Sequence, residues 1–161
     1  MSLHSRRSLI LALPLLVAAC GFAPIYGAGG SGGALQNRVL VTAPEDRNSF
    51  VLTREIETRL GRADSAAFGL DVTITTSEQR VAIDREGNTT RFNLVGVADY
   101  ALRNLGTGQI VTSGTVENFT GYSATGTTVA TLAGEQDAQD RLMTILAEQI
   151  VTRLYAADLG Q

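Results

Sequence analysis

Phe68-Gly69-Leu70-Asp71-Val72-Thr73-Ile74-Thr75 alternates apolar and polar side chains, with Leu70, Val72 and Ile74 on one parity and Asp71, Thr73 and Thr75 on the other. A period of two is the signature of a strand with one buried face. The pattern persists to Thr120 with interruptions. Val81 and Ile83 fall on the opposite parity, which predicts a bulge near Ser77-Glu78-Gln79. Asp84-Arg85-Glu86-Gly87-Asn88 reads as a turn, and Phe92, Leu94, Ala98, Tyr100 and Leu102 then share a face. Gly106-Thr107-Gly108 makes the next turn, and Ile110 to Phe119 forms another strand. Its inward parity is open, because Ile110 and Val116 compete with Val111 and Phe119. Three successive strands with short turns form an antiparallel meander.

Helical spacing flanks the meander. Before it, Arg38-Val39-Leu40-Val41-Thr42 is a short strand ended by Pro44. Asn48 is an N-cap candidate, Leu52, Ile56 and Leu60 repeat at i, i+4, i+8, and Gly61 fits the C-terminal end. After it, Tyr122 to Thr128 is a Gly/Thr/Ser loop, and a helix is expected from about Leu132 to Ala157. Leu142, Ile145, Leu146, Ile150 and Leu154 form its apolar stripe. The order is β-α-β-β-β-α, an α+β fold. Two helices would cover one face of a four-stranded, mostly antiparallel sheet, and the other face would be polar.

The N-terminus has a different character. Arg6 and Arg7 precede an apolar run from Leu9 to Ala19, and Cys20, the one cysteine, follows Leu16-Val17-Ala18-Ala19. A basic start, a short apolar core and a small-residue cut site describe a secretory signal peptide. The run of 11 apolar residues is short of the roughly 20 a membrane span needs. Ending at a cysteine, the segment resembles a bacterial lipobox, which implies cleavage before Cys20 and its lipidation. Ser5-Arg6-Arg7 does not choose between general and twin-arginine export. The expected division is residues 1–19 as signal, 20–37 as lipidated N-terminus and tether, and 38–161 as one domain. Gly27-Ala28-Gly29-Gly30-Ser31-Gly32-Gly33 makes the tether flexible, and about 14 residues counted from Cys20 reach roughly 20 Å.

Composition narrows the function. Every basic residue is an arginine. Cleavage would remove Arg6, Arg7 and His4, the one histidine, leaving 11 arginines against 16 acids, a net charge of −5. A mature chain of residues 20–161 would hold no histidine, lysine or tryptophan, and its thiol would be acylated. Ser-His-Asp and Cys-His catalysis, Schiff-base lysines and ordinary zinc sites are then excluded. No phosphate loop or EF-hand spacing occurs. Carboxylate-pair chemistry or a carboxylate metal site stays open in principle, but no spacing singles out such a pair, and the chain reads as a non-enzyme without metal or cofactor. Its acidity argues against nucleic acid and against electrostatic adhesion to anionic membrane, which leaves the lipid as the membrane anchor.

Cys20-Gly21-Phe22-Ala23-Pro24-Ile25-Tyr26-Gly27 resembles the CGF-x-P-x-Y start of the LptE family of lipopolysaccharide-assembly lipoproteins. Ala130-Thr131-Leu132-Ala133 and Ala147-Glu148-Gln149-Ile150-Val151-Thr152-Arg153-Leu154 resemble that family's final helix. The resemblance implies a lipoprotein on the periplasmic side of the Gram-negative outer membrane, anchored through Cys20. Gly21 after the lipidated cysteine resembles outer-membrane sorting. The family plugs an LptD-type β-barrel, assists its assembly and takes part in inserting lipopolysaccharide into the outer leaflet. Lipopolysaccharide phosphates favour arginine, which makes Arg80, Arg85 and Arg91 around one hairpin the candidate ligand contacts. Phe119, Tyr122 and Thr125 are the candidate barrel contacts. The alternative is a free-standing periplasmic lipoprotein serving as a binding or envelope-scaffold module.

Overall fold

The computed structural model describes residues 31–159. A short helix α1, Ser31–Leu35, leads into strand β1, Val39–Val41, and helix α2, Arg47–Leu60. Strands β2, Phe68–Ile83, β3, Thr89–Asn104, and β4, Ile110–Ser123, follow, and helix α3, Thr128–Ala156, ends the fold. The four strands form one sheet in the order β1-β2-β3-β4, with β1 parallel to β2 and the other two pairs antiparallel. This is the expected α+β arrangement with a third, short helix added. The expected signal peptide, Cys20 and most of the expected tether lie outside the described residues. The last residues read as tether do not remain one: Leu35 of α1 is fully buried, and the Asn37 amide donates to Leu60 O at 2.7 Å. A single buried leucine two residues after the glycine run is enough to draw that segment onto the core.

The caps differ from the sequence expectation for local reasons. Helix α2 is capped by Asp46, not Asn48. The Asp46 carboxylate accepts from the Ser49 amide at 2.7 Å, and Ser49 Oγ accepts from the Asp46 amide at 3.0 Å. This reciprocal box satisfies two amides that a cap at Asn48 would leave open. Helix α3 starts at Thr128, earlier than expected, because Thr127 Oγ1 accepts from the Ala130 amide at 3.2 Å. Its first turns carry exposed Val129 and Leu132 and so hide the start from any search for a buried stripe. At the other end of α2, Gly61 adopts φ 77°, and a side chain there would collide with Asn37 Oδ1.

Leu52, Ile56 and Leu60 of α2 meet Leu142, Leu146, Ile150 and Leu154 of α3 in one core, as their spacing predicts. Ile145 is only half-buried, and Met143, Ala147 and Val151 complete the stripe. From the sheet come Leu70 of β2, Leu94, Ala98, Tyr100 and Leu102 of β3, and Val116 of β4. The open parity of β4 is settled by Val116, Thr120 and Tyr122, which are buried, while Phe119 points away from the helices. The close approach centres on Gly96 of β3. A Cβ at Gly96 would stand 2.9 Å from Leu142 Cδ2 and 3.1 Å from Leu146 Cδ1. Thr120 Oγ1 donates to Ala138 O at 2.8 Å and ties β4 to the same helix.

The break in alternation lies slightly past its expected place. Register shifts fall between Arg80 and Ala82 and between Ala82 and Ile83, leaving Val81 without a partner on β3.

Leu142→Ala removes the side chain seated on Gly96, and a loss of about 2–5 kcal/mol in unfolding free energy is expected. Asp46→Ala is expected to cost about 1 kcal/mol through the lost cap. Hydrogen bonds from Ser49, the hydroxyl first, hold the Asp46 carboxyl below its ordinary value. The cap is therefore fully present above the ordinary aspartate pKa and is lost as pH falls through the lowered one. Urea titrations of both variants at neutral and acid pH check both statements: the Asp46→Ala deficit shrinks in acid, and the Leu142→Ala deficit does not.

Candidate functional site

The β2–β3 hairpin ends in a turn built by Asp84. Its Oδ1 accepts from the Glu86 amide at 3.0 Å and the Asn88 amide at 2.7 Å, and its Oδ2 accepts from Asn88 Nδ2 at 3.1 Å. These bonds, the Asn88 side chain first, hold the Asp84 carboxyl below its ordinary value. Of the two acids that sit among the arginines, Asp84 is therefore engaged in shaping the turn, and Glu86 is exposed beside Arg85.

The three candidate arginines come to this one end of the molecule, but not to one face. Arg80 lies in the cross-strand row Arg80–Phe92–Tyr122, on the parity that faces the helices. Arg91 pairs with Ala82 and Ser123 on the opposite face, and Arg85 sits in the turn. All three are exposed, and among the described residues none is in an ion pair. Val81 and Ile83 stand beside them, 52% and 65% exposed. The Ala124 amide donates to Thr90 O at 2.9 Å, so α3 also starts at this end, with Val129 and Leu132 exposed on it. Free guanidinium groups next to bare aliphatic side chains suit an amphiphile with anionic and acyl parts. The aliphatic half was not anticipated from sequence. Its signal was the parity reversal at Val81 and Ile83, which marked side chains leaving the core face.

The expected partner contacts separate. Tyr122 is not a surface aromatic: it is buried, stacked on Phe92 with ring centroids 5.3 Å apart and planes at 14°. Its hydroxyl donates to Glu78 across β3. Burial first, then the Glu78 hydrogen bond and charge, raise its pKa well above the ordinary phenol value. Even parity on β4 brings it under the first turns of α3. Phe119, by contrast, is 58% exposed on the outer face, in the row Ser77–Val95–Phe119. An open depression of about 510 Å³ there is lined by Gln79, Asn93, Val95, Glu117, Asn118 and Phe119. Thr125 lies in the loop after β4, its hydroxyl 3.0 Å from Ser123 Oγ. Thr125 and Arg91 line a neighbouring depression of about 420 Å³. One ligand candidate and one partner candidate thus share a surface.

Among the described residues no group of three or more His, Cys, Asp or Glu side chains could hold a metal ion, and no helix is long and apolar enough to cross a membrane.

The family model of LptE, lipopolysaccharide-assembly, matches residues 36–154. The chain belongs to the LptE family. Among solved structures, a putative lipoprotein from Caulobacter crescentus is similar at 25% identity and TM-score 0.65, over 80% of this chain and 94% of that one. The rare lipoprotein B of Shewanella oneidensis shares the fold at 12% identity and TM-score 0.58, over 74% and 92%. A minor lipoprotein of Acinetobacter baumannii does so at 18% and 0.53, over 74% and 91%. No curated protein matches significantly. The resemblance read from Cys20–Gly27 and the last helix is thus borne out by a match over the folded body itself. For an LptE-family chain, the lipoprotein character of these neighbours agrees with an envelope role in lipopolysaccharide assembly.

Tyr122→Phe keeps the stack on Phe92 and deletes the bond to Glu78. It is expected to cost about 0.5–1.5 kcal/mol, read by thermal or urea unfolding. The same variant should lose a phenol that titrates above the ordinary range in a tyrosine absorbance titration.

Proposed function

We propose that this chain is an outer-membrane lipoprotein, acylated at Cys20 after removal of residues 1–19. In this reading it plugs an LptD-type β-barrel, assists its assembly and takes part in inserting lipopolysaccharide into the outer leaflet. The LptE-family match over residues 36–154 carries the reading. The outer sheet face supports it. Thr73, Thr75, Ser77, Gln79, Asn93, Asp99, Thr115 and Glu117 lie on the parity away from the helices, with Val95, Val97 and Phe119 among them. A polar face with a few apolar anchors suits the polar lumen of a transmembrane barrel.

The hairpin end supports the ligand. Lipid A offers phosphates and acyl chains together. Arg80, Arg85 and Arg91 would take the phosphates, and Val81 and Ile83 would meet the chains. Phe119 and Thr125 remain the proposed barrel contacts, and Tyr122 positions the hairpin through Phe92 and Glu78. The domain 38–161, extended by α1, would stand off the bilayer on the remaining glycine tether.

A pull-down of the C-terminally tagged lipoprotein from detergent-extracted outer membrane tests the partnership by mass spectrometry. A near-stoichiometric large β-barrel protein is expected. Recovery of the lipoprotein alone, under conditions that keep other outer-membrane complexes intact, points to the free-standing module. Arg85→Glu with Arg91→Glu should weaken lipopolysaccharide binding by about tenfold or more, since each reversal replaces an attraction worth over 1 kcal/mol with a repulsion. Unchanged binding of the folded double variant removes the hairpin from the ligand site.

A further inference from the structure

Strand β2 has 16 residues, but β1 pairs with only Phe68, Gly69 and Leu70. The last link is the Thr42 amide donating to Leu70 O at 2.9 Å. That bond fixes the direction of the edge. A strand residue aims its N–H and C=O to the same side, and successive residues alternate. Leu70 faces β1, so Val72, Ile74, Thr76, Glu78 and Arg80 face the same way, and the odd residues between them bond to β3. Among the described residues, no hydrogen bond reaches the outward backbone groups from Val72 to Arg80. The open edge runs for roughly 27 Å at 3.3 Å per residue.

Natural sheets protect such edges with proline, lysine or a covering loop. Val72-Thr73-Ile74-Thr75-Thr76-Ser77 carries no proline and no charge and is rich in β-formers. The only irregularity comes past Arg80. Where β1 stops, a cavity of about 350 Å³ opens beside the edge, lined by Leu52, Val72 and Ile74 with Thr42 and Thr73. Its charged lining is wholly acidic: Glu45, Asp46 and Asp71.

We propose that this edge takes a fifth strand, an extended segment of the barrel partner, which continues the line of β1 along Val72–Arg80. The proposal rests on the partnership put forward above. The chemistry of the edge specifies the segment. Its side chains over Val72 and Ile74 are apolar, one of them filling the cavity. A basic residue lies against Glu45 and Asp71. Its outer-face side chains are polar, to lie beside Thr73, Thr75 and Ser77. Main-chain bonds supply the affinity and the cavity supplies the selection. A second copy of this chain fits less well. Antiparallel self-pairing about Thr76 would set Glu78 against Ile74 and Arg80 against Val72, giving two buried mismatches on each side and no opposite-charge pair.

Single-residue amide exchange, measured on the full-length lipoprotein alone and in its co-purified complex, is the test. The amides of Val72, Ile74, Thr76 and Glu78 should exchange fast in the lone protein and slow by at least about tenfold in the complex. Those of Thr73, Thr75 and Ser77, held by β3, should be slow in both. Thr76→Pro removes one outward N–H and no bond to β3, which an edge position tolerates. It should lower recovery of the complex by roughly fivefold or more while the thermal midpoint of the lone protein stays unchanged. A complex whose edge amides stay fast overturns the strand and leaves the barrel partnership standing. Failure to recover any barrel protein overturns both. Edge protection that appears in the lone protein with rising concentration assigns the edge to a second copy and overturns the proposal.

Discussion

The contact of Leu142 and Leu146 with the bare backbone of Gly96 sets the distance between α3 and the sheet. With no side chain at Gly96, the helix settles against the middle of β3. The apolar positions of α2 and α3 then close over Leu70, Ala98, Tyr100 and Leu102 in one core. Thr120 and its bond to Ala138 hold β4 to the same helix. Without that approach the helices would ride higher, and the inner row of the sheet would be open to water along its length.

Element lengths then decide what stays exposed. Helix α2 has 14 residues, about 21 Å at 1.5 Å per residue. Strand β2 has 16, about 53 Å at 3.3 Å per residue. The helix and the three-residue β1 cover only the base of β2, and roughly half of the strand runs on without them. The same mismatch bares the edge from Val72 to Arg80 and carries the arginines, Val81 and Ile83 clear of the core. Tyr122 stiffens the projecting part: it stacks on Phe92 of the neighbouring strand and reaches Glu78 on the next. The hairpin is therefore a braced extension of the sheet, with its turn held by Asp84.

Much of this is written in the amino-acid order. Alternation from Phe68 onward marks the strands, because one face is buried and a shift of one residue would expose it. Leu52, Ile56 and Leu60 mark α2 for the same reason at helical spacing. The features that escaped have physical causes. The capping box at Asp46 and Ser49 depends on side-chain geometry that Asn48 mimics in sequence. The first turns of α3 bury almost nothing, so no periodicity announces them. Helix α1 offers one large apolar side chain, Leu35, to the core, after glycines that locally favour a tether. Tyr122 and Phe119 differ only in parity, and on β4 the competing apolar residues hid which parity was inward. The arginine cluster was legible as a cluster, but its division between two faces needs the register Arg80–Phe92 and Ala82–Arg91.

The fold, the polar outer face, the amphiphilic hairpin end and the LptE-family membership converge on lipopolysaccharide assembly. Depleting the chain in its own host and quantifying lipopolysaccharide at the cell surface tests that role most directly. Surface lipopolysaccharide should fall while newly made molecules accumulate on the inner side of the outer membrane, and re-expression of the chain should restore it. Unchanged surface lipopolysaccharide at full depletion would contradict the role.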